Sequence, residues 1–314
     1  MKDILFMEPV FKSMIWGGDR LRREFDYTIP NNNTGECWAI SAHTNGDCTI
    51  RNGKYRGKSL SWLWQNNRQL FGNRSEHLFP LLIKIIDARK DLSIQVHPDD
   101  TYANLHEYGA SGKTECWYVL DCDENTEIVI GHNAKDKDEL INMIEQERWS
   151  ELIRKQPIKK GDFFQITPGT VHAIKAGTLL LETQQNSDIT YRLYDYGRLD
   201  KGKYRQLHIR ESIDVINCPH KDAPIDGSII KSGSGEVTNL IRDKHYTVIK
   251  ITSFAEMILN QDKDFMNISV IEGEGAIDDI RISKGDHFIL PYGYGKFMLK
   301  GQMSLIASYL DDMN

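Results

Sequence analysis

The sequence predicts a mainly β protein built as two related units, the first carrying one small helical insertion. Three observations predict it. Apolar and polar residues alternate with a period of two through many short stretches, with Gly-, Asn- and Pro-rich turns between them. Residues 136–156 depart from that rhythm: Leu140, Ile141, Ile144, Trp149, Leu152 and Ile153 recur at helical spacing. Finally, a strand–turn–strand pattern returns at an offset of 124 residues. Gly161-Asp162 aligns with Gly285-Asp286, Phe164 with Phe288, Ile166 with Leu290, Gly169 with Gly293 and Gly177 with Gly301.

Taken in order, residues 4–50 read as short strands with turns at 16–19 and 30–33. Residues 60–71 suit a surface helix, and 79–86 form a buried run broken only by Lys84. Residues 92–97 alternate cleanly, so Gln95 and His97 share one face of a strand. Pro98 stops it, and Asp99 and Asp100 can cap a helix beginning near Thr101. Residues 115–121 read as a returning strand with Glu115 on one face and Cys116, a small core residue, on the other. Asp138 and Glu139 near the start of 136–156, and Arg154 and Lys155 near its end, suit a single helix dipole. Strands follow at 178–183 and 188–194. Residues 219–236 have linker composition, which places a boundary near 218–240.

With 314 residues, 40% of them hydrophobic, the chain has room for two domains. A net charge of −6 argues against general nucleic-acid binding but leaves room for a small phosphorylated metabolite. Five cysteines, an odd number without a Cys-x-x-Cys pair, suit a reducing compartment. The first residues show no cationic-then-apolar leader, and no apolar run is long enough to cross a membrane. The expectation is a soluble cytoplasmic protein with neither nucleic-acid nor membrane partners.

Gln95, His97, Glu115 and His172 offer one amide oxygen, two imidazoles and one carboxylate. That donor set suits one borderline divalent ion per chain, such as Zn²⁺, with a position left for water or substrate. At offset 124 His172 falls on Lys296, so the second unit is expected to hold no metal. The other histidines have no comparable setting.

The two-His-plus-Glu set, followed by Gly161-Asp162 and Pro168-Gly-Thr-Val-His172, resembles the two motifs of the cupin superfamily. Within it, Ser93-Ile-Gln-Val-His-Pro-Asp99, Lys113-Thr-Glu115 and Tyr191-Arg192 closely resemble the zinc-dependent mannose-6-phosphate isomerases; Trp16-Gly-Gly18 and Gly35-Glu-Cys-Trp38 fit too. The resemblance covers most of 5–200 and continues more weakly beyond. It implies two cupin (jelly-roll) β-barrels: a metal-binding domain over 1–218 with its insertion at 136–156, a linker over 219–239, and a degenerate metal-free domain over 240–314.

It also implies a sugar-phosphate substrate and the interconversion of mannose 6-phosphate and fructose 6-phosphate through an enediol(ate). The family pattern puts Arg192, Lys113 and Glu182 in catalytic roles, and Trp16, Lys113 and Arg192 against substrate. A base must move a proton between C2 and C1. Glu182, raised by partial burial, and Lys113, beside the metal charge, are both candidates. Two other readings fit the same scaffold: an Fe(II) dioxygenase, which Gln95, Lys113 and Arg192 suit less well, and a non-catalytic sugar-phosphate sensor.

Overall fold

The computed structural model describes residues 3–311. In the first unit two antiparallel sheets face each other. One runs, in spatial order, Phe163–Ile166, Glu115–Cys122, Thr178–Gln185, Leu81–Ala88, Val10–Gly18 and Thr34–Ile40. The other runs Ile153–Pro157, Glu127–His132, His172–Ala173, Ile94–Val96 and Tyr191–Tyr194. Between them pack Trp16, Ile86, Trp117, Ile128, Phe164 and Leu180. Leu81–Ala88 is buried along its whole length, which is why it reads as an unbroken apolar run. Ile86 faces the sandwich, while Leu81, Ile83 and Ile85 face the core shared with the second unit.

The second unit is one ten-stranded sheet. Its centre is Gly295–Tyr309, paired with Thr247–Ser253, Glu256–Gln261 and Met266–Ile277. Ile251, Ile268, Phe288, Leu299 and Leu305 fill its core. Trp64, Phe71 and Phe79 of the first unit interlock with Phe265 of the second, at ring separations of 6.1, 5.7 and 5.2 Å. Edge and tilted contacts of this kind join the two units through a fully buried aromatic seam.

The internal repeat is present in the backbone itself. Each aligned glycine pair shares a left-handed φ: +91° and +95° at Gly161 and Gly285, +81° and +70° at Gly169 and Gly293, +86° and +111° at Gly177 and Gly301. The hydrogen bonds repeat as well. Gly161 N donates to Val119 O (2.8 Å) and Gly285 N to Val270 O (2.9 Å). Lys159 N donates to Asp162 Oδ2 (2.9 Å) and Ser283 N to Asp286 Oδ2 (2.8 Å). Strand register extends the equivalence: Ile166 pairs with Glu115, and its counterpart Leu290 pairs with Met266. Methionine therefore stands where the first unit has a carboxylate, and Lys296 aligns with His172.

The mainly β jelly-roll architecture expected from sequence is present, its sheets lying as open layers with no closed barrel among the described residues. Two expectations need correction. Residues 136–156 are not one helix. Lys137–Glu145 ends before Glu147, whose φ of +53° no α-helix accommodates; Trp149–Leu152 is a second short helix, and Ile153–Pro157 is an edge strand. Arg154 thus bonds to Ile130 O (2.7 Å) instead of closing a helix dipole. Finally, 219–239 is more than a linker. Ile229–Lys231 and Gly235–Arg242 form a hairpin on the second sheet, whose turn accounts for the Ser/Gly composition. Leu5–Glu8 also belongs to that sheet, paired to Phe288 and Ile289, so the second sheet draws a strand from the chain's beginning.

Candidate metal centre and substrate cavity

The sandwich brings its two faces together at one point. Glu115 opens the second strand of the six-stranded sheet, whereas Gln95 and His172 lie on adjacent strands of the other and His97 directly follows the Gln95 strand. Gln95 and His172 are directly paired in register, which sets their side chains together. His97, Glu115 and His172 are at most 1% exposed. His97 Nε2 lies 3.1 Å from His172 Nε2, and Glu115 oxygens lie 3.4 Å from each imidazole Nε2.

These separations match what one small cation would require. Tetrahedral bonds of about 2.0–2.1 Å put neighbouring ligand atoms ~3.3 Å apart. The tautomers agree. His97 Nδ1 meets Ile189 O at 2.9 Å and His172 Nδ1 meets Thr170 O at 2.8 Å; a carbonyl only accepts, so each Nδ1 carries the proton. Both Nε2 lone pairs then converge on the same space as the Glu115 carboxylate. Neither Glu115 oxygen has a hydrogen bond, although Lys113 Nζ stands 2.6 Å from Oε2 as an ion-pair partner. Three buried acceptors converge here, and the Lys113 ammonium, 3.1 Å from His97 Nε2 as well as beside Glu115, already answers them with positive charge. Gln95 sits beside it, its amide 3.3 Å from His172 Nε2, and rotating the amide about χ3 turns its oxygen inward.

A cavity of about 220 Å³ opens onto this centre at Gln95 and Lys113. Trp16, Glu182 and Arg192 line it too, so all the substrate-facing residues expected from sequence share one space. Trp16 is both wall and core. The Arg192 guanidinium is held by Ser93 Oγ (3.3 Å) and Gln206 O (2.8 Å), and among the described residues no carboxylate lies within ion-pair distance of it.

A model of the type I phosphomannose isomerase catalytic domain matches residues 4–150, and one of the mannose-6-phosphate isomerase cupin domain matches 236–310. Mannose-6-phosphate isomerase ManA of Bacillus subtilis is 50% identical over 313 residues, covering 98% of each chain. The chain belongs to the type I phosphomannose isomerase family. A crystal structure of a mannose 6-phosphate isomerase from Bacillus subtilis superposes with a TM-score of 0.96 at 46% identity, over 98% of this chain and 99% of that one. The fold extends to a mannose 6-phosphate isomerase solved with zinc and yttrium, at 16% identity and a TM-score of 0.76 over 98% of this chain and 99% of that one.

Several residues of this family member's cavity escaped the sequence reading. Lys84, 7% exposed, donates to Glu182 Oε1 (3.0 Å) and Gln184 Oε1 (2.6 Å). Its signal was a charge inside an apolar strand, and strand register explains it: Lys84 pairs across to Glu182 on one side and Trp38 on the other. Trp117 Nε1 donates to the second Glu182 oxygen at 3.1 Å. Glu36, Asp188 and Arg205 complete the charged lining. Arg205 and Arg198 both grip the buried Asp195, and the Arg192 guanidinium stands near enough to feel the charges of all three.

Burial dominates the titrations. It pushes His97 down to about 3 and lowers His172, so both imidazoles are neutral donors at neutral pH. Burial alone would raise the Glu115 carboxyl, but Lys113 and the imidazoles hold it well below the usual range. Glu182 goes the other way: burial, then the Glu115 charge, raise it against the opposing pull of Lys84.

Proposed function

We propose that the protein interconverts mannose 6-phosphate and fructose 6-phosphate, with one Zn²⁺ held by His97, Glu115, His172 and the Gln95 amide oxygen. Membership of the isomerase family supports the reaction, and the neutral imidazole–carboxylate donor set supports zinc. The observation that carries the reading is the cavity. It opens both on the ligand cluster and on Arg192, a cation without a carboxylate partner among the described residues, as a sugar bearing a phosphate requires.

Arg192 and Arg205 border the cavity and offer the substrate phosphate and the developing enediolate fixed positive charge. Glu182 takes the C2 proton and returns it to C1; its raised pKa brings it nearer the working pH, and Lys84 and Trp117 fix its orientation. Lys113 faces the substrate oxygens from beside the ligands, and Trp16 packs against the sugar. When bound, the ion supplies Lewis-acid polarisation of those oxygens. We assign the chemistry to the unit ending near 218 and a supporting role to the metal-free unit. Five free cysteines suit the cytoplasm, and among the described residues no helix is long and apolar enough to cross a membrane.

A coupled assay on mannose 6-phosphate tests the reading, with and without chelator and with zinc restored. Activity that chelation abolishes and zinc returns is expected; chelator-resistant turnover would remove the metal from the mechanism. Zinc binding without turnover would favour a sensor.

A further inference from the structure

His97 and Glu115 sit on different sheets, and the segments that carry them meet at one latch. Pro98–Asp100 directly follows His97, and Gly112–Thr114 directly precedes Glu115. Lys113 N donates to Pro98 O at 3.0 Å. Gly112 approaches so closely that a Cβ there would lie 2.4–2.5 Å from the Asp99 and Asp100 backbone. Asp100 Oδ1 accepts from Gly112 N (2.9 Å) and from Gln185 Nε2 (3.0 Å), and Gln185 Oε1 accepts from Thr114 N (2.8 Å). One carboxylate and one buried amide therefore hold together two short segments of chain, each adjoining a ligand.

The second unit reaches the same carboxylate. His245 Nε2 and Lys244 Nζ stand 3.5 and 3.9 Å from Asp100 Oδ2. We propose that Asp100 and Gln185 are positioning residues that set the separation of His97 from Glu115, and that the metal-free unit steadies them through His245 and Lys244. This rests on the metal reading above. Neither residue touches substrate or ion; each acts through backbone amides beside the ligands. Such outer partners commonly govern metal affinity by about 10–100-fold.

The test is zinc affinity by chelator competition, with amide hydrogen exchange at Gly112 and Thr114 and global thermal stability as parallel readouts. Asp100→Ala and Gln185→Glu should each weaken zinc by about 10–100-fold and speed exchange at those two amides. The second replaces a donor with a carboxylate facing Asp100. Asp100→Asn keeps the oxygen that accepts from both Gly112 N and Gln185 Nε2 and loses only the charge facing His245 and Lys244, so it should bind zinc more tightly than Asp100→Ala. His245→Ala should fall between wild type and Asp100→Ala. If the single variants lose thermal stability but bind zinc as tightly as wild type, the proposal is overturned. The same holds if Asp100→Asn binds zinc no better than Asp100→Ala. A wild-type protein that binds no zinc would instead sink the metal reading itself.

Discussion

Lys84→Met isolates the buried pair behind the cavity. Lys84 and Glu182 are 7% and 3% exposed, with Nζ–Oε1 at 3.0 Å. At an effective dielectric of ~20 their attraction is about 5–6 kcal/mol, most of it offset by the desolvation of both ions. Methionine keeps the length of the stem but leaves Glu182 buried with only the Trp117 N–H to stabilise its charge. Removing one partner of such a pair costs about 3–5 kcal/mol. The assay is urea denaturation of Lys84→Met, Glu182→Gln and the double variant. The pair should couple by about 2–3 kcal/mol, so the double variant loses less than the two singles combined. Kinetics give an independent check. Lys84 lowers the Glu182 pKa, so Lys84→Met should move the acid limb of kcat/KM to higher pH. Additivity within ~0.5 kcal/mol together with an unmoved pH profile would refute both the buried pair and the role of Glu182.

His172→Ala should remove the metal and activity while the far-ultraviolet circular dichroism stays close to wild type; metal analysis before and after substitution decides it. Arg192→Ala should lower kcat and kcat/KM together by about 10²–10³-fold with metal retained, and Lys should rescue it poorly; a rise in KM alone would limit Arg192 to binding. Glu182→Gln should cost about 10²–10⁴-fold in kcat and abolish solvent deuterium incorporation at the migrating hydrogen; retained exchange would shift the base to another residue. His287, buried between Tyr27 OH (2.7 Å) and Ser269 Oγ (2.8 Å), is pushed down to about 3 by burial. Its unfolded form protonates near 6.5, so its contribution is complete above that value and is lost as pH falls toward 3, by up to about 1.4 kcal/mol per unit. His287→Phe should flatten the acid limb of Tm against pH; an unchanged limb assigns acid lability elsewhere.

What the sequence showed clearly was local. Gln95 and His97 are two apart on a strand, Glu115 opens another, and His172 follows a glycine turn whose φ only glycine readily adopts, so their chemistry could be read from spacing. The repeat was legible for the same reason, since turns impose fixed residue types. The insertion failed at Glu147, where a left-handed residue breaks a helix that periodicity alone carried through. Lys84 and Glu182 face each other only because strands ninety-odd residues apart pair in one register. The Asp195 cluster is different, because Arg198 and Arg205 follow Asp195 closely in the chain and it is the intervening hairpin that turns both back onto the carboxylate.

The strand Leu5–Glu8 gives the order of assembly a particular shape. Its partners, Phe288 and Ile289, are nearly the whole chain away, and its other edge pairs with Thr49 and Ile50. On a ribosome, the earliest of these segments to emerge must wait for one of the last before its ladder closes, which delays the final sheet whatever the speed of the sandwich. Dissection meets the same constraint from the other direction. A fragment beginning at residue 219 would carry the hairpin but leave the edge at Phe288 and Ile289 without its strand, open to pairing with another copy. Adding residues 1–10 as a separate peptide should cap that edge and keep the fragment monomeric, so the opening strand would serve as a soluble chaperone for its own C-terminal sheet.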